Sequence, residues 1–259
     1  MIQGMGKMSV VFVLSTGRCG TQWLHQFLNS RLPDSWEASH EPINFDYAPT
    51  DNSPSQPLNK NPQKLLNHLA YIQNRVKNHQ SYVECGFPCW RHLGWFSEEL
   101  DCPVKIIYLH RDPVQVSRSW LKQNAFVQPI LPHLGIKELF HPAAPEAQLT
   151  HYQNSWRGLT SFEKGLYYWA EVQAQAARYK TVWSTENWFE LPFHQLTDQC
   201  VLQDLMGFLD TDVEIGNIDA VPRDRFQGIE QDVVDETLIR RHPDILQEAE
   251  KLGYSSYFS

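Results

Sequence analysis

Short runs of hydrophobic residues recur along the chain in a pattern typical of buried strands. Val10–Leu14, Ser81–Cys85 and Val104–Leu109 are continuous runs rich in β-branched and aromatic residues, as in strands buried on both faces of a parallel sheet. Two weaker runs, Trp36–Ser39 and Lys180–Ser184, predict further strands. The pattern therefore predicts a central, mostly parallel sheet.

Amphipathic segments lie between and after these strands. In the first of them, Trp23, Leu24 and Phe27 recur at helical spacing, and Pro113 suits the first turn of a later helix. The predicted helices span Thr21–Ser30, Gln63–Asn78, Pro113–Lys122, Phe162–Tyr179, Cys200–Leu209 and Val233–Leu252. Alternating strands and helices predict an α/β fold, a doubly wound three-layer sandwich.

Neither an internal repeat nor an interdomain linker interrupts this pattern. Residues 1–259 are therefore predicted to form a single domain, a size that one hydrophobic core supports. Two irregular stretches, 44–62 and 125–160, are rich in Pro and polar residues and are expected to be loops on the substrate side. Aromatic and histidine side chains within 133–156 either form a wall for a substrate or pack internally.

Composition narrows the class of protein. Hydrophobic residues make up 42% and charged residues 20% of the chain, as in an ordinary globular protein. A net charge of -8 argues against a nucleic-acid partner but not against binding of a nucleotide-sized anion. No apolar run reaches the ~18 residues that span a membrane, and no signal peptide is recognised. The five cysteines fit neither a disulfide framework nor a metal site, so reduced thiols and a cytoplasmic location are expected.

The segment Ser15–Trp23 has the features of an anion-binding loop between the first strand and the first helix. Gly17 and Gly20 allow a tight turn in which backbone N–H groups point inward, and the helix start adds partial positive charge. Arg18 adds a permanent cation and Thr21 a hydroxyl donor. The alternative is a plain strand-to-helix turn with an exposed arginine. The candidate ligand-binding residues are Ser15, Thr16, Gly17, Arg18, Cys19, Gly20, Thr21, Gln22 and Trp23.

A second candidate anion site follows the strand Val104–Leu109. Arg111 lies at the carboxyl end of that strand and Ser119 lies two helical turns later, so their side chains are able to converge on one phosphate. Alternatively, Arg111 caps sheet carbonyls and Ser119 faces solvent. The first loop lacks the Gly-Lys-Ser/Thr of a Walker A motif and the G-x-G-x-x-G of a Rossmann site.

The two motifs together resemble those of sulfotransferases that use 3′-phosphoadenosine-5′-phosphosulfate (PAPS). Arg18–Trp23 is similar to the 5′-phosphosulfate loop of that family, with arginine where the cytosolic branch has lysine, as in many bacterial relatives. Arg111 and Ser119 match the pair that binds the 3′-phosphate. The resemblance implies a P-loop NTPase-like fold and in-line transfer of a sulfuryl group to a hydroxyl or amine of a small-molecule or carbohydrate acceptor. Adenosine 3′,5′-bisphosphate would be the product, and the enzyme a monomer or homodimer.

The resemblance also implies contacts at the adenosine end of PAPS. Trp23 matches the residue that stacks on adenine, although core packing explains a tryptophan there equally well. Thr185 lies in a weaker stretch of resemblance, directly after the strand predicted at Lys180–Ser184. Arg223 and Arg225 are candidates for the basic C-terminal segment with which the family closes over the nucleotide.

Three residues are candidates for catalysis. Arg18 would brace the sulfuryl oxygens and the departing phosphate, because a guanidinium stabilises charge but does not give up a proton. Glu41 resembles the catalytic glutamate of carbohydrate-type sulfotransferases and is the preferred general base. His40 is the alternative, because histidine is the base in the cytosolic branch and its ordinary pKa suits proton transfer.

Two other functions stay open at this point. One is a P-loop kinase that uses ATP on a small molecule, against which the missing Walker residues argue. The other is a nucleotide-binding protein of the same fold without catalytic activity. Comparing the binding of ATP with that of adenosine 3′,5′-bisphosphate tests the first, and a broad panel of acceptors tests the second.

Overall fold

The computed structural model describes residues 8–43, 63–128, 136–216, 218 and 234–254. They form an α/β fold in which helices flank a five-stranded parallel sheet. By their contacts the described residues group into two compact units. The sheet unit comprises 8–43, 63–110, 179–216 and 218, and the helical unit comprises 111–128, 136–178 and 234–254. The single-domain organisation predicted from the sequence stays a prediction.

All strands of the sheet lie in the sheet unit, in the order β2-β3-β1-β4-β5. The strands are β1 (Val10–Leu14), β2 (Trp36–Ser39), β3 (Ser81–Glu84), β4 (Val104–His110) and β5 (Trp188–Pro192). The helices of this unit are α1 (Thr21–Arg31), α2 (Gln63–Lys77), α3 (Leu93–Glu99) and α6 (Gln199–Phe208). Short 3₁₀ helices span Pro88–His92, Thr185–Asn187 and Phe193–Gln195.

The strand order creates a topological switch point between β1 and β4. From β1 the chain continues to β2 and β3 on one side, whereas from β4 it continues to β5 on the other. β1 and β4 are parallel neighbours in a register from Val10 with Val104 to Leu14 with Tyr108. Ligands of open α/β sheets bind where connections diverge beyond the carboxyl ends of adjacent strands. The carboxyl ends of β1 and β4 are that point in this sheet.

The core of the sheet unit forms around β1. Its five residues are completely buried, and Phe12 stacks on Phe96 of α3 with 4.7 Å between ring centroids. The buried strand β4 contains one charged residue, Lys105, whose Nζ donates to the Phe208 carbonyl and to Asp210, each at 2.6 Å. This lysine joins the sheet to the carboxyl end of α6, where a cation is favoured.

The helical unit consists of α4 (Pro113–Leu121), most of α5 (Ser161–Lys180) and α7 (Pro243–Lys251), with short 3₁₀ helices at Thr150–Gln153, Trp156–Gly158 and Glu236–Arg241. Asp112 caps α4 by accepting from the backbone N–H of Gln115 at 2.9 Å. Buried Glu171 of α5 accepts from the backbone N–H groups of Gln148 and Leu149 at 2.7 and 2.9 Å, and thereby anchors the preceding loop.

Most predicted elements are confirmed to within one residue at each end, but two are wrong. Lys180–Ser184 is no strand: it is the end of α5 and a turn, in which Trp183 Nε1 donates to the Val104 carbonyl at 2.9 Å. The continuous helix predicted over Val233–Leu252 is broken at Pro243, because proline has no N–H to donate within a helix and instead begins α7.

The substrate-side loop expected at 44–62 lies outside the described residues, as do 129–135 of the second loop. In the part of the chain that the structure describes, no helix is long and apolar enough to cross a membrane.

Candidate functional site

The loop after β1, which we call the anion cradle after its predicted role, contains three residues with left-handed backbones. Gly17, Arg18 and Gly20 have left-handed backbones, with φ of 72°, 58° and 93°. Backbone N–H groups in such a sequence of conformations point into one concavity, which binds anions. Arginine rarely adopts positive φ, so the loop holds Arg18 in a conformation that costs of order 1–2 kcal/mol. The bend is therefore a defined feature of this loop.

Side chains within the loop stabilise this bend from inside. Ser15 Oγ accepts from the Gly17 N–H at 3.1 Å, and the Thr16 hydroxyl donates to the Gly17 carbonyl at 2.9 Å. The Cys19 thiol also donates to the Gly17 carbonyl at 3.1 Å. All three side chains are buried, whereas Arg18 is half-buried. Ser15, Thr16 and Cys19 therefore hold the cradle through their side chains.

Helix α1 begins directly after the loop with Gly20 as its N-cap. In the described part of the chain no side-chain hydrogen bond caps α1 at Gly20, and the start of a helix is a position that suits a bound anion. Thr21 is buried, and Gln22 is exposed beside it. Trp23 is half-buried and stacks on Phe27, with 5.3 Å between ring centroids and an interplanar angle of 5°. Its ring therefore packs on α1 and still presents part of its surface.

Residues after β5 also support the loop, and the sequence did not reveal them. A Cβ placed on Gly20 would lie 2.6 Å from Leu196 Cδ1 and 3.3 Å from Phe193 Cε2. Both residues follow the carboxyl end of β5, an edge strand of the same sheet. The tight approach of these side chains explains why position 20 has no side chain. Only a correct placement of β5 along the sequence would have indicated this contact.

His40 and Glu41 follow the carboxyl end of β2. His40 Nε2 lies 3.3 Å from the Thr21 hydroxyl, so it contacts the first residue of α1, and 3.8 Å from Glu41 Oε1. Both side chains are about one quarter exposed. The structure thus brings the two candidate bases together with one residue of the predicted phosphate loop.

The electrostatic environment of His40 differs from that of a free histidine. Burial, with a smaller contribution from the neighbouring His25, lowers the pKa of His40 from 6.5 to about 4. The His25 and His40 rings lie 5.8 Å apart. The His40 side chain is therefore neutral at physiological pH, and only one of its two ring nitrogens carries a hydrogen.

Arg111 and Ser119 lie in the helical unit, Arg111 two residues before α4 and Ser119 near the end of that helix. The Arg111 guanidinium donates to Gln115 Oε1 through Nε and Nη2, at 3.1 and 2.9 Å. The Trp169 indole donates to the Arg111 carbonyl at 2.8 Å and fixes the backbone there. Ser119 is buried. Arg111 is half-buried, and its guanidinium is a planar fork of donors, a shape that matches the oxygens of a phosphate.

Three cofactor-binding predictions have a different outcome. Thr185 is exposed and precedes β5, so it lies at the amino edge of a parallel sheet, opposite the carboxyl ends where the loop lies. The prediction relied on the wrongly placed strand, and we do not retain Thr185 as a nucleotide contact. Arg223 and Arg225 lie outside the described residues.

The aromatic residues considered as a substrate wall are packed. Phe140, Tyr152 and Trp156 are all buried, and Trp156 contacts Tyr167 edge-to-face at 5.1 Å between ring centroids. Among these described aromatics, packing inside the helical unit is thus the interpretation that holds. Across the described ranges, no group of His, Cys, Asp and Glu side chains is arranged to hold a metal ion.

Comparison with solved structures supports the fold. The sulfotransferase domain from the curacin biosynthetic pathway aligns with a TM-score of 0.53 and 15% identity, covering 95% of this chain and 98% of that one. The sulfotransferase domain of the Synechococcus PCC 7002 olefin synthase gives 0.52 and 15%, covering 96% and 95%. A sulfotransferase from Alicyclobacillus acidocaldarius gives 0.50 and 16%, covering 93% and 94%. Identities this low show a shared P-loop-like α/β fold only.

Comparison with sequences identifies the family. No curated protein matches the chain significantly. The model of the sulfotransferase domain matches residues 9–227, a range that contains the anion cradle, His40, Glu41 and the Arg111–Ser119 segment. This match extends over most of the 259 residues. The chain therefore belongs to the sulfotransferase domain family.

Proposed function

We propose that the protein transfers the sulfuryl group of PAPS to a hydroxyl or amine of a small-molecule or carbohydrate acceptor and releases adenosine 3′,5′-bisphosphate. The anion cradle after β1 carries this proposal. Its three left-handed residues and the start of α1 would present N–H groups to one anion. The family match supports sulfuryl transfer as the reaction.

The residues of the cradle suit the phosphosulfate end of PAPS. The N–H groups of the loop and of the first turn of α1 would bind the 5′-phosphate and sulfate oxygens. Thr21 would add a hydroxyl, and Arg18 a charge-assisted contact. Cys19 is buried and bonded within the loop, so its side chain has a structural role. Trp23, with part of its ring exposed, would contact the adenine.

Arg111 and Ser119 would bind the 3′-phosphate, as the matching pair does in the family. The Arg111 fork makes two bonds to one amide oxygen, and the same geometry suits two oxygens of a phosphate. ATP has no 3′-phosphate and would leave this arginine without its anion. The proposal therefore predicts selectivity for the bisphosphate over ATP.

The chemistry needs stabilisation of charge and alignment of the acceptor. Sulfuryl transfer resembles phosphoryl transfer, in which charge on the transferred oxygens and on the leaving phosphate must be stabilised while attacking and leaving groups are in line. Arg18 would supply that charge, because it belongs to the cradle loop and a guanidinium is a cation that stabilises charge on oxygen atoms.

Glu41 is the general base that we propose for the acceptor. Histidine is usually attractive in this role because its ordinary pKa lies near neutrality. A pKa of about 4 removes that advantage from His40, and its Nε2 also contacts Thr21. Glu41 lies 3.8 Å from the same nitrogen and is partly exposed, so an acceptor proton has access to it. We infer that His40 orients Thr21 of the loop.

Sulfur-labelled PAPS incubated with a broad panel of hydroxyl and amine acceptors tests the function directly. On an acceptor found in this way, Glu41→Gln should lower turnover by about two orders of magnitude or more with bisphosphate affinity nearly unchanged. His40→Gln is the matched control and should affect turnover less than Glu41→Gln. Wild-type turnover by Glu41→Gln would reject Glu41 as the base. Binding without transfer to any acceptor would instead indicate a nucleotide-binding protein without this activity.

A further inference from the structure

Gly86 lies two residues beyond the end of β3 and directly against Glu41. A Cβ built on Gly86 would lie 3.1 Å from Glu41 Cγ, 3.1 Å from its backbone nitrogen and 3.2 Å from its Cα. These separations are shorter than ordinary contacts between carbon atoms, which are about 3.5–4.0 Å. Two of the three atoms belong to the backbone, so rotation of the Glu41 side chain would not relieve the crowding.

Glu41 itself has an unusual backbone conformation. Its φ is 48°, in the left-handed region that residues with a side chain seldom adopt. Such a conformation persists when the surroundings determine it, and it is concentrated at functional sites. Here it follows β2 by two residues and turns the chain at the point where His40 contacts Thr21.

The backbone of Gly86 has little freedom to move away. The N–H of the preceding residue, Cys85, donates to the Ser39 carbonyl of β2 at 2.8 Å. The Cys89 thiol donates to the Gly86 carbonyl at 3.1 Å. Gly86 is buried, and both cysteines are completely buried. A side chain at position 86 would therefore displace Glu41, which lies beyond the last bond between β2 and β3.

We infer that Gly86 is a positioning residue for the reaction: the missing side chain at this position is what allows Glu41 to place its carboxylate for proton removal. This inference rests on the proposed role of Glu41 as the general base. The φ of Gly86 does not itself require glycine. Glycine is needed at this position because Glu41 approaches it closely.

Steady-state kinetics of Gly86→Ala tests the inference. Misplacing a catalytic group by a fraction of an ångström should lower kcat about tenfold, and the affinity for adenosine 3′,5′-bisphosphate should stay within about twofold. Gly207→Ala is the matched control, because a Cβ there meets no atom within 4 Å, and its kcat should equal that of the wild type. Wild-type kcat in Gly86→Ala would overturn the inference.

A double-mutant cycle shows whether Gly86 acts through Glu41. When the base is already removed by Glu41→Gln, adding Gly86→Ala should cause no further loss of kcat. An equal tenfold loss in both backgrounds would show an independent effect and contradict the inference. If Glu41→Gln alone retains the wild-type kcat, Glu41 is not the base. If Glu41→Gln lowers kcat but Gly86→Ala does not, only the inference about Gly86 is rejected.

Instability of Gly86→Ala would be informative as well. In that case the double variant Glu41→Gly/Gly86→Ala should fold, because glycine at 41 tolerates positive φ and is free to shift away from the new methyl group. Circular dichroism and thermal unfolding measure this rescue. A double variant that stays as unstable as Gly86→Ala would show that the crowding lies elsewhere and would overturn the inference.

Discussion

Replacing Gly20 by alanine is the most direct perturbation of the anion cradle that the structure offers. Gly20 has a φ of 93° and is the N-cap of α1. An added Cβ would lie 2.6 Å from Cδ1 of Leu196, whose side chain is completely buried. The substitution therefore combines backbone strain with overpacking at the centre of the proposed phosphate site.

The magnitude follows from these two effects. A left-handed backbone costs a residue with a Cβ about 1–2 kcal/mol. Overpacking in a well-filled region costs about 1–3 kcal/mol. We therefore expect Gly20→Ala to lower the free energy of unfolding by about 3 kcal/mol. Because the N–H groups that begin α1 move with the loop, affinity for adenosine 3′,5′-bisphosphate should fall about tenfold or more.

Urea unfolding and isothermal titration with the bisphosphate measure the two effects on one variant. Gly207→Ala in α6 serves as the control, since a Cβ there meets open space and alanine favours a helix by about 1 kcal/mol over glycine. If the stability of Gly20→Ala stays within about 0.5 kcal/mol of the wild type and its affinity for the bisphosphate is unchanged, the reasoning about the loop is refuted.

Three further predictions concern separate parts of the chain. Lys105→Met should lower the free energy of unfolding by about 1–3 kcal/mol in urea titrations, because the carbonyl at the end of α6 and Asp210 lose their donor; a neutral effect would contradict the role of Lys105. His40 and His92 have pKa values lowered from 6.5 to about 4 and about 3, mainly by burial, so the unfolded chain binds protons that the folded protein does not. Their contribution to the free energy of unfolding should therefore be fully present above pH 6.5 and fall as the pH drops from 6.5 towards 4, by about 2 kcal/mol per histidine at pH 5. Replacing His92 by Gln should make the free energy of unfolding depend less on pH in this range. Arg111→Ala should weaken binding of the bisphosphate about tenfold to a hundredfold in calorimetry but leave the binding of adenosine 5′-monophosphate, which lacks the 3′-phosphate, unchanged.

Where local pattern and tertiary environment agree, the sequence predicts the fold closely. The run Val10–Leu14 is buried on both faces as its composition indicates, and the glycines after it form the predicted turn. The pattern failed at Lys180–Ser184, whose apolar residue Trp183 packs on Tyr179 and binds the start of β4 instead of forming a strand. The true strand, Trp188–Pro192, contains a proline, which an edge position tolerates.

The sequence indicates those parts of the candidate site whose chemistry lies within a short motif. The segment Ser15–Trp23 shows its chemistry in its own residues, because a loop and a helix start suffice for an anion. The contact of Gly86 with Glu41 and that of Leu196 with Gly20 join residues far apart in the chain. No local pattern marks such contacts, since a glycine that serves close packing looks the same in sequence as one that serves a turn.

Binding of the reaction product tests the central claim most directly. Isothermal titration of the unmodified protein with adenosine 3′,5′-bisphosphate, adenosine 5′-monophosphate and ATP compares ligands that share adenosine and differ in the 3′-phosphate. The bisphosphate should bind at least about tenfold more tightly than either of the others, since only it provides the anion for Arg111. Equal or tighter binding of ATP would contradict PAPS as the donor.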